Sequence, residues 1–221
     1  MSITLAIECS QRGGGVALRD ASGLVHTAEL TSASGVDDRL MTEVDQLFQK
    51  ANLVPTDLKL VGVSIGPGGF TGLRVAVSTA KMLALTTGCL VVPVASALVA
   101  AASRPHTQRV AVVLAARQGT AWLTRVESNL EIDGKPGLVD AMSFERATEG
   151  CGAVLADSHL PDEMAQIISG RGLVCEIPVF DPVQCLVLAE AGLDQGQQVD
   201  PRCLGPLYPR IPEAVRLFDA R

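Results

Sequence analysis

Aromatic side chains are nearly missing from this sequence: five Phe, one Tyr and one Trp among 221 residues. The core must therefore be built from Val, Leu, Ile and Ala, which dominate a hydrophobic content of 48%. Histidine is almost as scarce. His26, His106 and His159 stand at no mutual spacing that a metal site or a catalytic dyad requires. The six cysteines form no CxxC pair, which excludes a zinc knuckle and a redox dithiol and leaves reduced, mostly buried thiols. Basic residues are outnumbered, 18 Lys and Arg against 24 Asp and Glu, for a net charge of −6. Autonomous RNA binding needs the opposite balance, because neutralising phosphates supplies most of that affinity. No apolar run is long enough to span a bilayer, and the chain opens on a strand-like pattern instead of a leader, so a cytoplasmic protein is expected. Nor is there a GxSxG elbow, a Walker A lysine or a GxGxxG fingerprint, and neither Thr71 nor Ser64 has a base nearby in sequence.

What is present is an alternation of aliphatic strands and helices, the pattern of an α/β protein. Residues 3–7, 14–19 and 24–30 read as short strands joined by glycine-containing turns. A helix is expected from about Ser34, capped by Ser34 with Asp37 reaching back, and carrying Val36, Leu40, Met41, Val44, Leu47, Phe48 and Ala51 as its apolar positions. Next come a strand at 60–65, the turn Gly66-Pro67-Gly68-Gly69, a second helix to about Thr86, a strand at 90–94 and a helix at 95–102. Strand, glycine turn and helix start together place backbone N–H groups where an anion is stabilised, although a tight turn with no ligand has the same spelling. Residues 103–107 divide the chain into two halves, 1–103 and 104–221. Strands at 110–115 and 121–126 form a hairpin, and the Gly-, Gln- and Pro-rich tail from Gln195 is expected to run over the surface. No segment repeats.

On the second helix, Leu73, Ala76, Val77, Ala80 and Ala84 share one face, and Phe70, Arg74, Ser78, Lys81 and Leu85 the other. Both helices are more apolar than a single buried side needs. That leaves two readings: burial against the chain's own sheet, or a helical surface offered to a partner.

Four segments carry a family likeness. Gly66–Leu85 closely resembles the GPGSFTGLR segment of the TsaB (YeaZ) family, the accessory subunit in bacterial synthesis of threonylcarbamoyladenosine in tRNA. Ile3–Ser10 is similar to its opening strand, Ala116–Trp122 to its DARxGEVYW-like segment, and Pro206–Arg210 to its PxYLR tail. The resemblance implies an actin/hexokinase/Hsp70-like (ASKHA) fold of two lobes, each a mixed β-sheet flanked by helices, in agreement with the βββαβα order of the first half.

It further implies a non-catalytic subunit that docks on a TsaD-like protein and supports threonylcarbamoyl transfer to N6 of adenosine-37 in tRNAs reading ANN codons. A TsaE-like ATPase belongs to the same machinery, a homodimer forms when TsaD is absent, and tRNA is reached only through the complex. The two helices supply the implied contact, with Val36, Leu40, Met41, Val44, Phe70, Leu73, Arg74, Val77, Ala80 and Lys81 as its candidate residues. The HxxxH pair by which TsaD relatives bind metal is absent from this sequence. The resemblance assigns no cofactor to this chain itself; it leaves room for ATP or ADP with Mg²⁺ at the interface with the TsaD-like partner, with Glu8, Gly66, Gly68, Gly69 and Thr71 as candidate phosphate contacts. Glu8 and Ala115 stand where the family has Asp, which argues against nucleotide binding by this chain alone. Arg117 reads as a hairpin-tip residue. An autonomous ATP-dependent small-molecule kinase is the competing reading, and a peptidase acting on TsaD the weakest.

Overall fold

The computed structural model describes residues 2–30, 39–104, 107–116 and 118–208. Two compact units divide these residues between them. The first takes in residues up to Ser103 together with Val179–Pro206, and the second runs from Arg104 to Pro178 and resumes at Leu207.

The first unit is built on strands β1 (Thr4–Glu8), β2 (Gly15–Arg19), β3 (Val25–Glu29), β4 (Leu60–Gly66) and β5 (Leu90–Ala95), in the order β3-β2-β1-β4-β5. The β1–β2 and β2–β3 pairs are antiparallel hairpins, whereas β4 and β5 run parallel to β1, each reached through a helical crossover. Strand alternation sends Leu5, Ile7, Val61 and Val63 to one face of the sheet. Helices α1 (Leu40–Lys50) and α2 (Phe70–Thr87) cover that face with Leu40, Val44, Leu47, Ala76, Ala80 and Leu83. Ala6, Leu60 and Val92 point the other way, against α3 (Ser96–Ser103) and α6 (Pro182–Asp194). Gly62 is glycine for a packing reason: a Cβ there would lie 2.3 Å from that of Ala189 on α6.

Sheet two contains β6 (Val110–Ala115), β7 (Ala121–Val126), β8 (Ile132–Val139), β9 (Ala153–Ala156) and β10 (Val174–Glu176), in the order β10-β9-β6-β7-β8. Its β6–β7 and β7–β8 pairs are antiparallel, and β9 and β10 parallel. The topology of the first sheet is thus repeated strand for strand, although the sequence shows no repeat. Helices α4 (Ala141–Ala147) and α5 (Asp162–Gly170) bury Phe144, Met164 and Ile168 against Ala111, Val113, Leu123 and Val154. These are the two mixed sheets with flanking helices of the ASKHA architecture.

Three expectations need correction or restriction. Residues 179–206 do not complete the second half, because α6 returns to the first sheet. The tail from Gln195 does not simply run over the surface: Val199 N donates to Val91 O at 2.9 Å, and Leu204 is buried in the core that α1 and α2 share. The first helix is described from Leu40, with Arg39 at its N-cap position; Ser34, Val36 and Asp37 lie outside the described residues.

Candidate functional site

The glycine turn joins β4 to α2, with a cis Gly66–Pro67 peptide and Gly66 at a φ of 107°. What the glycines accommodate is the chain itself. A Cβ on Gly68 would come within 2.1 Å of Ser10 O, and one on Gly72 within 2.3 Å of Cys9 O. Gly69 N donates to that same Ser10 carbonyl at 2.7 Å. The turn is locked onto the segment leaving β1, which satisfies one amide that an anion would otherwise take.

Glu8 ends β1, fully buried on the α3/α6 side of the sheet. Its Oε1 accepts from Ser10 N at 2.7 Å, and its Oε2 has no hydrogen-bond partner among the described residues. The Ser64 and Ser96 hydroxyls, 3.0 Å apart, and the buried Cys185 thiol belong to the same interior. Burial pushes the Glu8 carboxyl up from its ordinary 4.5, and hydrogen bonds from Ser10 and Ser64 offset only part of that. Burial raises Cys185 as well, with the charge of Glu8 as the next cause.

These residues do not fit a Mg²⁺-nucleotide. A carboxylate that holds a metal-bound water must be ionised and reachable, and Glu8 is enclosed in a setting that favours its proton. Backbone occupies the space beside Gly68, Gly69 is solvent-facing but spends its N–H on Ser10, Gly66 is buried, and Thr71 faces solvent. Glu8, Gly68 and Gly69 thus converge on the Ser10 backbone, which fills the place a phosphate would take, while Gly66 and Thr71 do not contact it. Among the described residues no group of three or more His, Cys, Asp or Glu could hold a metal ion.

The candidate interface residues fall into two sets. Leu40 and Val44 of α1 and Leu73, Val77 and Ala80 of α2 are buried in the chain's own core, so they cannot meet a partner directly. Small side chains on that face let α2 approach its sheet closely. Met41, Phe70 and Arg74 face outward, and Phe70 keeps 50% of its surface exposed in the first turn of α2. The Arg74 guanidinium lies 3.7 Å from the Phe70 ring centroid, a cation–π contact that holds both side chains at the surface. Met82 and Leu85 extend the same stripe, Leu85 64% exposed. Met82 is not among the positions that the helical pattern alone marks as outward. Lys81 is half-buried, its Nζ 3.5 Å from Arg202 O. Val36 and Arg117 lie outside the described residues, and no helix among them is long and apolar enough to cross a membrane.

A family model described as TsaD, tRNA N6-adenosine threonylcarbamoyltransferase, matches residues 32–141. Two solved structures from Pseudomonas aeruginosa share the fold. One, an uncharacterized protein with similarity to the peptidase YeaZ, superposes with a TM-score of 0.77 at 19% identity, covering 95% of this chain and 100% of its own. The other, YeaZ itself, gives 0.75 at 20% identity, with 94% and 100% covered. The chain thus matches a TsaD-family model over residues 32–141 and shares the fold of YeaZ, in line with the wording of the glycine turn.

Proposed function

We propose that this chain is a non-catalytic subunit of the machinery that forms threonylcarbamoyladenosine in tRNA. It docks on a TsaD-like transferase through the outward stripe of α2, with the exposed Met41 of α1 as a further contact. The TsaD-family match and the YeaZ-like fold support a role connected with this modification. The observation that carries the docking reading is the division of α2. Its inner face is committed to the core, yet its outer face still presents Phe70, Met82 and Leu85 to solvent.

The absence of catalytic function rests on chemistry. The sequence contains no HxxxH pair, and the strand-end acid is buried beside serines and a cysteine with no cationic partner among the described residues. Activation then comes from contact, by ordering the partner's own nucleotide site. A TsaE-like ATPase joins the complex, and with a net charge of −6 this chain meets tRNA only through it. Without the partner, the same apolar stripe pairs two copies of the chain. An autonomous kinase is disfavoured by the buried Glu8 and by the turn's packing on Ser10.

The test is co-purification with the TsaD-like protein of the same genome. A Phe70→Asp/Leu85→Asp variant should lose co-elution while its melting temperature stays near that of the parent chain. Undiminished co-elution would remove the stripe from the interface.

A further inference from the structure

We propose that the groove formed by β7, β8 and α4 in the second unit binds a small phosphomonoester, a dianionic phosphate head on a nonpolar body. The cavity has a volume of about 500 Å³, within the roughly 300–1,000 Å³ typical of small-molecule sites. Its apolar lining includes Leu123 and Leu138, with Met142 at the mouth, 93% exposed in the first turn of α4.

The charged lining is Arg125, Lys135 and Arg146 against a single Asp133, a local balance of +2 in a chain whose net charge is −6. Asp133 is already committed: Arg125 Nε lies 3.0 Å and Arg109 Nε 3.3 Å from its Oδ2. Asp140, just before α4, is spent on capping, accepting from Ser143 N at 2.9 Å and Ser143 Oγ at 2.6 Å. Neither carboxylate neutralises Lys135 or Arg146, which are exposed and make no ion pair among the described residues. Cations without carboxylate partners lining one groove raise the local concentration of anions. A phosphomonoester carries close to two charges at pH 7, which matches the +2 of the lining. Its oxygens suit the guanidinium fork of Arg146, and Lys135 adds a point charge. The small volume of the groove and the negative charge of the whole chain favour a small molecule over a nucleic-acid backbone. The apolar side chains beside the cations call for a nonpolar or ring body on the phosphate.

Calorimetric titration of the isolated chain at low salt tests this with three probes: phenyl phosphate, inorganic phosphate and benzyl alcohol. Phenyl phosphate should bind saturably, inorganic phosphate more weakly, and benzyl alcohol not at all. Lys135→Gln/Arg146→Gln should weaken phenyl phosphate at least about tenfold, whereas Arg12→Gln, an exposed cation of the first unit, should not. Unchanged melting temperatures would show that each variant folds. Absence of saturable phenyl phosphate binding, or equal binding by the double variant, overturns the site. Equal affinity for inorganic phosphate, or binding of benzyl alcohol, overturns the two-part ligand. The titration needs no partner protein, so its failure leaves the docking reading untouched.

Discussion

Replacing Glu8 with Gln probes the buried end of β1 directly. The substitution keeps shape and the Oε1 acceptor for Ser10 N, and removes the titratable proton. Burial has raised the carboxyl from 4.5, so the folded chain retains a proton after the unfolded chain has lost it. Stability from this group is fully present below about pH 4.5. It declines as pH rises, and levels off above the raised folded value. One retained proton corresponds to a slope of about 1.4 kcal/mol per pH unit at most. Urea unfolding of both proteins between pH 5 and 8 reads this as a difference, so groups that titrate alike in both cancel. Cys185, whose thiol is also raised and coupled to Glu8, enters only above its ordinary 9.0. The stability of Glu8→Gln relative to the parent should climb with pH across that window. A pH-independent difference would refute the reading of Glu8 as a protonated, enclosed acid, and with it the argument against a metal-nucleotide there.

Other expectations follow from particular contacts. Gly72→Ala gains about 1 kcal/mol of helix propensity but meets the Cys9 carbonyl, so urea melts should show net destabilisation of about 1–3 kcal/mol; a stabilised variant would contradict the close packing. Leu73→Ala, fully buried on the inner face of α2, should cost about 3 kcal/mol in the same assay, in contrast with the outer-face Phe70→Asp/Leu85→Asp variant. Asp140→Ala removes the side-chain cap of α4 and should cost about 1 kcal/mol, with hydrogen exchange accelerated in residues 141–147.

Much of the first unit was legible because its signals are local. Short aliphatic runs marked β1, β4 and β5, and the glycine turn marked the start of α2 within a few residues. The faces of α2 were also separable by periodicity, but which face met the sheet was not, since an apolar stripe reads alike whether a sheet or a partner covers it. Burial of Leu73, Val77 and Ala80 resolved that. The return of α6 to the first sheet left no local trace. Ala189 against Gly62 is a contact across 127 positions, and neither residue by itself signals a helix docking there. The groove beside α4 was equally silent. Arg125, Lys135 and Arg146 are scattered in sequence, and only the β7–β8 register, which sets Arg125 opposite Asp133, together with the placement of α4, gathers them.

The account's central claim, that this chain activates a TsaD-like transferase by contact, is tested most directly by reconstitution. The TsaC-, TsaD- and TsaE-like proteins of the same genome would be supplied with tRNA, threonine, bicarbonate and ATP, and threonylcarbamoyladenosine counted by mass spectrometry. Product should require this chain and be lost with Phe70→Asp/Leu85→Asp. Equal product without the chain would contradict the account.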